Sequence, residues 1–131
     1  MLSLARRTVL TVVLFGLTAV VLFAAATDVT GQVSIKQGGF TRNRDTGLWT
    51  ATLTVTNKSG SAVAGPVQVV LDNISSNATL VNKTGDWNGR PYITVSSGAL
   101  GAGATVNVTV QFTNRTNGFI NFNTSAYSGG F

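Results

Sequence analysis

Apolar and polar residues alternate along two long segments of the chain. Residues 49–56 alternate Trp, Ala, Leu and Val with threonine, and residues 106–113 alternate Val and Phe with Asn, Thr and Gln. A period of two places every apolar side chain on one face of an extended strand and every polar side chain on the other. Both segments are therefore predicted to be antiparallel strands that are buried on one face and solvated on the other.

Weaker patterns predict further strands, with turns between them. Asp45-Thr46-Gly47 is predicted to turn a hairpin, and Asn88-Gly89 is a type I′ hairpin signal. No stretch after residue 27 has a helical period, so the chain is predicted to be all-β, a single antiparallel sandwich of seven to eight strands. The weaker strands are predicted around Val33 and Ile35, over 67–71, at Leu80, over 92–95, and around Ile120 with Phe122.

Five short segments of the chain form a pattern that is specific for fold. They are Gly38-Gly39-Phe40, "TNKSGSAVAGPVQVVLDNISSNATLVN", "PYITV", "GALGAGATVNVTVQFTN" and "INFNT". The pattern covers Val33–Thr124 and resembles the immunoglobulin-like or fibronectin-type modules of large secreted bacterial proteins. The resemblance implies an immunoglobulin-like sandwich over residues 27–131. It also implies work as a spacer, an adhesion unit or an assembly unit.

The beginning of the chain has the pattern of an export signal. Arg6 and Arg7 precede the uncharged residues 8–26, which end in three alanines. A basic start, an apolar run and small residues before the cleavage point predict a signal peptide over residues 1–26, cleaved after Ala26. The alternative is a retained membrane anchor, because 19 helical residues span about 28 Å. Either interpretation makes the remainder an exported domain at the cell surface or outside the cell.

The composition excludes several kinds of chemistry. The chain has no His and no Cys, and its four acidic residues are all Asp. It therefore offers no Ser-His-Asp or Cys-His arrangement, no disulfide and no cysteine ligands for zinc or iron–sulfur clusters. The run Asp86-Trp87-Asn88-Gly89 resembles part of a calcium loop, but no later acid completes it, so a plain turn is predicted. We predict a protein that is not an enzyme and needs no metal or other cofactor.

The positive charge of the chain does not indicate a nucleic-acid partner. The formal net charge is +5, and Arg6 and Arg7 belong to the export signal. The rest of the chain has seven Lys or Arg against four Asp, a net charge of +3, and these residues are scattered. Phosphate binding requires clustered basic residues. Membrane contact is expected only through residues 1–26, if they are not cleaved.

Seven Asn-x-Ser/Thr triplets are candidate acceptors of N-linked glycans. Their middle residue is never Pro, and their predicted positions in polar strand phases or turns favour exposure. The alternative is that an Asn- and Thr-rich polar face generates such triplets by composition. The acceptor residues are Asn57, Asn73, Asn77, Asn82, Asn107, Asn114 and Asn123.

Aromatic residues near predicted loops are candidate ligand contacts. Trp87, Tyr92 and Tyr127 have rings that could stack on the CH faces of a sugar, with nearby Asn and Asp for its hydroxyl groups. The alternative is that these rings pack within the domain, as Trp49 and Phe112 are predicted to do in the core.

The two ends of the exported part are candidates for strand exchange between copies. Val29, Val33 and Ile35 mark the first strand, and residues 119–131 carry no charge that would discourage pairing. We therefore expect a structural surface protein, acting in adhesion or as a self-assembling filament subunit. The alternative function is a small carbohydrate-binding module with a glycan ligand.

Overall fold

The computed structural model describes residues 26–131, so the predicted signal helix lies outside the described residues. A short 3-10 helix over Thr30–Gln32 follows the first strand. The strands are β1 (Thr27–Asp28), β2 (Val33–Gln37), β3 (Thr41–Arg42), β4 (Trp49–Asn57), β5 (Val67–Asp72), β6 (Ala78–Leu80), β7 (Gly85–Trp87), β8 (Arg90–Ser96), β9 (Thr105–Asn114) and β10 (Asn123–Ser128).

The strands form two antiparallel sheets. Sheet I has the order β1-β10-β5-β8-β7, and sheet II has the order β2-β4-β9-β6. The two-residue strand β3 pairs with β4 beyond the end of β2, on the sheet II side. The prediction of an all-β antiparallel fold is therefore confirmed, but residues 26–131 form ten strands instead of the predicted seven to eight, because short strands such as β1 and β3 have only two residues and no alternating pattern.

The strongest alternating segments pair with each other at the centre of sheet II. Strand β9 pairs with β4 from Thr105 opposite Thr56 to Phe112 opposite Trp49. The inward side chains of β4 are buried at Ala51, Leu53 and Val55, while the threonines between them retain solvent exposure. The period of two predicted this arrangement, because one face of the pair meets the core and the other meets water.

Both sheets contribute to one hydrophobic core, so the fold is β-sandwich-like. Leu53, Val55 and Phe112 of sheet II belong to the same buried cluster as residues of β5, β8 and β10 in sheet I. Fully burying an aliphatic or Phe side chain of this kind is worth about 1.5–3 kcal/mol each. Strand β5 is almost continuously apolar because it lies inside sheet I and is buried on both faces.

The connections between strands confirm the predicted type I′ hairpin turn and correct the last predicted strand. Asn88 and Gly89 join β7 to β8 with φ of 51° and 77°, the positive values that a type I′ turn requires.

The last strand was expected around Ile120 and Phe122, but β10 begins only at Asn123. Ile120 is buried all the same, in the loop that closes this end of the sandwich.

Two loops touch at the opposite end of the sandwich. Val63 and Leu100 exchange both backbone hydrogen bonds, at 2.9 Å each. A Cβ placed on Gly65 would lie 2.3 Å from the carbonyl carbon and oxygen of Gly98. No residue larger than glycine fits position 65 without moving that loop.

Candidate functional site

Sheet I gathers the three aromatic residues that the sequence singled out. Trp87 comes from β7, Tyr92 from β8 and Tyr127 from β10. In the strand register, Tyr92 lies opposite Val70 and Tyr127 lies opposite Gln68, both on β5. Directly opposite residues share a face, so these rings lie together on the outer face of sheet I.

A fourth ring, Phe131, completes this aromatic cluster. It stacks on Trp87 with centroids 4.4 Å apart and an interplanar angle of 11°. It also meets Tyr92 edge-on at 4.7 Å and Tyr127 at 5.5 Å. The guanidinium carbon of Arg90 lies 5.1 Å from the centre of the Trp87 ring. A sugar would have to displace Phe131 in order to stack on that face of Trp87.

Gly85 makes room for the Tyr92 ring. The two residues are opposite each other in the β7–β8 hairpin. A Cβ on Gly85 would lie 3.0 Å from the Tyr92 hydroxyl oxygen and 3.1 Å from the nearest ring carbon. Glycine inside a strand commonly marks such a close approach. The aromatic cluster therefore depends on a residue without a side chain.

A second aromatic site is an apolar cleft at the open end of the sandwich. Its volume is about 460 Å³. The most prominent residue is Phe119, which is 92% exposed on the edge of the cleft. We call this site the Phe119 cleft, and it is lined by Gln37, Phe40, Trp49, Asn117, Gly118, Phe119 and Ile120.

The floor of the Phe119 cleft is anchored in the core. Phe40 packs edge-on against Phe112, with centroids 5.8 Å apart, and Phe112 stacks on Phe122 at 5.5 Å. Trp49 begins β4 and packs against the same core from the sheet II side. The apolar surface of the cleft therefore rests on residues that cannot move freely.

Two asparagine side chains hold the loop that carries Phe119. The Asn77 amide donates to Asn114 Oδ1 at 2.8 Å and to the Phe119 carbonyl oxygen at 3.1 Å. The Asn114 amide in turn donates to the Gly118 carbonyl oxygen at 2.8 Å. These bonds hold the backbone at Gly118 and Phe119, and so hold the segment that carries the exposed Phe119 ring.

The sequence did not identify this cleft. Trp49 was predicted to be a core residue, but it is only partly buried and borders the cleft, whereas Phe112 is fully buried as predicted. The one available signal was Asn117-Gly118-Phe119-Ile120, in which two large apolar residues follow a turn pair. Only the tertiary structure separates the buried Ile120 from the exposed Phe119.

Asn57 is a structural residue in the folded domain. Its side chain is fully buried, and its amide donates to the carbonyl oxygens of Ser61 at 2.8 Å and Leu100 at 2.9 Å. Its Oδ1 accepts from the Ser59 amide and hydroxyl groups. Since both amide hydrogens are used inside the protein, the folded domain offers no access for a glycan at Asn57.

The other acceptor candidates fall into two groups. Asn77 and Asn114 hold the Phe119 loop, and Asn82 donates to the Thr109 carbonyl oxygen at 2.7 Å while accepting from the Gln111 amide at 2.9 Å. In the part of the chain that the structure describes, the side chains of the remaining three are exposed and make no hydrogen bond. These three are Asn73, Asn107 and Asn123.

The candidate strand-exchange segment is part of the domain's own fold. Val29 and Val33 are buried in the core, and Ile35 packs against it. Strand β2 pairs with β4 from Val33 opposite Asn57 to Gln37 opposite Leu53. Exchange between copies would require this segment to leave its own sheet.

Strand β9 has an open edge. Strand β6 pairs only with the end of β9, at residues 112–114, and Asn82 covers Thr109 and Gln111. The backbone of Asn107 faces the same way, because alternate residues of a strand point their N–H and C=O groups to the same side. Among residues 26–131, no hydrogen-bond partner covers the Asn107 backbone on that side.

Neither the side-chain composition of the surface nor similarity to known proteins assigns a function to these sites. Within residues 26–131, no group of three or more His, Cys, Asp or Glu side chains is placed to hold a metal ion. No helix in the same residues is long and apolar enough to cross a membrane. No protein-family model, curated protein or solved structure matches the chain.

Proposed function

We propose that this is an exported, non-catalytic surface protein that acts in adhesion and holds its target in the Phe119 cleft. The observation that carries the proposal is a Phe residue that is 92% exposed at the edge of an apolar cleft. Large exposed apolar groups beside a concave apolar surface are typical of binding sites. The hydrogen bonds from Asn77 and Asn114 support the proposal, since a preformed site loses less entropy on binding.

The export part of the proposal rests on the sequence. Arg6 and Arg7, the apolar run after them and the alanines before Thr27 are the pattern of a cleaved signal. The immunoglobulin-like resemblance also remains part of the proposal, and two antiparallel sheets around one core are compatible with it. Adhesion is one of the roles that this resemblance implies.

Bead adhesion with two matched variants tests this function. Beads coated with the purified protein are applied to immobilised cellulose, chitin, polygalacturonate and the protein itself. We expect Phe119→Ser to lower adhesion at least tenfold on the surface that the parent binds. Val81→Ser is the control, because Val81 is also a large exposed apolar residue, at 44%, but lies outside the cleft. Parent beads that bind no surface, or Phe119→Ser beads that bind like the parent, would contradict the proposal.

Self-assembly by strand addition is a second candidate, favoured by the open edge of β9. The uncovered backbone around Asn107 could accept a strand from another copy, such as the segment with Val29, Val33 and Ile35. Light scattering over a concentration series and electron microscopy test this candidate. Oligomers or fibres that Asn107→Pro abolishes would support assembly, because proline removes the N–H that the edge presents. A monomer at every concentration without fibres would rule it out.

A further inference from the structure

We infer that the Phe119 cleft binds an acidic glycan, a sugar chain that carries carboxylate groups. This inference rests on the proposed adhesion function and names the chemical class of the target. It is distinct from a sugar site at Trp87, Tyr92 and Tyr127, whose rings already contact one another and Phe131.

The lining of the cleft matches both surfaces of a sugar ring. Phe40, Trp49 and Phe119 supply aromatic faces for its CH groups. Gln37 and Asn117 also line the cleft, and each side-chain amide has two donor hydrogens and one acceptor oxygen for hydroxyl groups. Apolar rings beside amides suit a ligand with apolar faces and a hydroxylated edge.

The basic residues around the cleft favour a ligand that carries acidic groups. Arg42 lies opposite Trp49 in the pairing of β3 with β4, so its side chain is on the same face of sheet II as the Trp49 ring. Arg44 is exposed in the turn that follows. Arg115 is exposed at the start of the loop that carries Phe119, and its guanidinium donates one hydrogen bond to the Ser76 carbonyl oxygen at 3.0 Å. Within the described residues, none of these arginines forms an ion pair.

Acidic residues of the described chain lie mostly elsewhere. Asp72 and Asp86 form ion pairs with Arg90 and Lys83 on the sheet I side. Asp28 pairs with the end of β10, far along the sandwich from the cleft. This leaves Asp45 as the one acid of the described residues near the three arginines. Arginine binds carboxylates through two parallel hydrogen bonds, which makes a carboxylate the complementary group.

The same charges argue against a second copy of this chain as the occupant. Two copies that met through their clefts would bring both sets of arginines together, and like charges across an interface are unfavourable. A peptide added as a strand would need an uncovered backbone edge, but the cleft presents side chains of Gln37, Phe40, Trp49 and Phe119. A carboxylated sugar suits the rings and amides that line the cleft, and its charge is complementary to the arginines beside the cleft.

A pair of ligands that differ only in charge tests the inference. Calorimetry compares oligogalacturonate with its methyl ester, which has the same sugar backbone without the carboxylate charges. We expect the acid to bind at least tenfold more tightly at low ionic strength. The difference should shrink in 0.5 M salt, where the Debye length falls to a few ångströms (roughly 4 Å). Arg42→Gln should lower the preference about fivefold, whereas Lys58→Gln, an equal charge change at an exposed position at the far end of β4, should leave it unchanged.

Each alternative outcome leads to a different conclusion about the ligand. Equal affinity for the acid and the ester would overturn the acidic ligand and leave the adhesion function standing. The same conclusion would follow if neither sugar bound while adhesion to a neutral surface still depended on Phe119. Dimers that disappear in Phe119→Ser overturn it in favour of a second copy. Binding that persists in Phe119→Ser but is lost in Trp87→Ala moves the sugar site to the aromatic cluster, and this outcome contradicts both proposals.

Discussion

The molecule has two aromatic regions that use similar residues and differ in what covers them. The aromatic cluster on sheet I has Trp87, Tyr92 and Tyr127, and Phe131 packs against all three rings. The Phe119 cleft has Phe40, Trp49 and Phe119, and Phe119 is 92% exposed. The first region uses its rings for internal packing, whereas the second leaves Phe119 exposed to solvent. Aromatic content alone therefore does not distinguish a covered aromatic region from an open one.

The largest expected difference separates Trp87 from Phe119 in stability. Trp87→Ala removes the ring that stacks on Phe131 and contacts Tyr127, and we expect a loss of about 2–3 kcal/mol in the free energy of unfolding. Phe119→Ser removes an exposed ring and should change stability by less than about 0.5 kcal/mol. Urea unfolding of both variants measures this, and equal losses would mean that both regions are structural.

A smaller loss is expected from Gly85→Ala. The added Cβ would press on the Tyr92 ring and force it to shift, and we expect the loss to be about 1–2 kcal/mol. Gly39→Ala is the control, since a Cβ there would meet no atom within 4 Å. Thermal unfolding compares the two variants. An unchanged melting temperature for Gly85→Ala would show that the aromatic cluster is loosely packed.

The loop that carries Phe119 gives a prediction in which binding changes more than stability. Asn77→Ala removes two hydrogen bonds at the edge of the cleft, to Asn114 and to the Phe119 carbonyl oxygen. We expect a loss of about 1 kcal/mol in stability and a several-fold loss of adhesion, because the ring is no longer held in place. Asn107→Ala is the control, because Asn107 is exposed in the extended strand β9 and its side chain makes no hydrogen bond within residues 26–131. Unchanged adhesion by Asn77→Ala would mean that the loop needs no such support.

The smallest effect is expected at acidic pH, on the cluster side of the molecule. Asp28 lies opposite Tyr127, and its Oδ1 accepts the Thr30 N–H at 2.9 Å, which holds the pKa of Asp28 below its ordinary value of 3.8. A lowered pKa stabilises the folded state above pH 3.8, and this stabilisation is lost as the pH falls through the lowered value. The protection of the Thr30 amide, measured as its hydrogen-exchange rate relative to the intrinsic rate at the same pH, should therefore fall at low pH, and Asp28→Asn should remove that dependence.

The strands that the sequence predicted most clearly are those with one face in the core and the other in solvent. Strands β4 and β9 were found because one face of each meets the core, and the Asn88-Gly89 turn was found because few residue pairs adopt two positive φ values. Strand β10 was misplaced because it lies between β1 and β5, and its sequence, NTSAYS, contains little apolar alternation. The apolar Ile120 and Phe122 are instead in the loop before it.

The candidate site could not be read from the sequence for a related reason. The cleft forms where residues 37–49 meet residues 117–120, and no local pattern records a contact across that separation. The Asn-x-Ser/Thr triplets show the same limit. Asn57 and Asn107 begin equivalent triplets, yet one is fully buried with both amide hydrogens used and the other is exposed. Tertiary placement decides whether such an amide faces solvent.

Asn82 lies where the chain leaves one sheet for the other. Its amide group pairs with the β9 edge just beyond the end of β6, by donating to Thr109 and accepting from Gln111. One side chain therefore takes the place of a paired strand at these two residues, although the edge beyond them stays open at Asn107. The next strand, β7, begins at Gly85 and belongs to sheet I. The side chain that closes part of the sheet II edge thus directly precedes the hairpin that carries the Trp87 ring to the aromatic cluster.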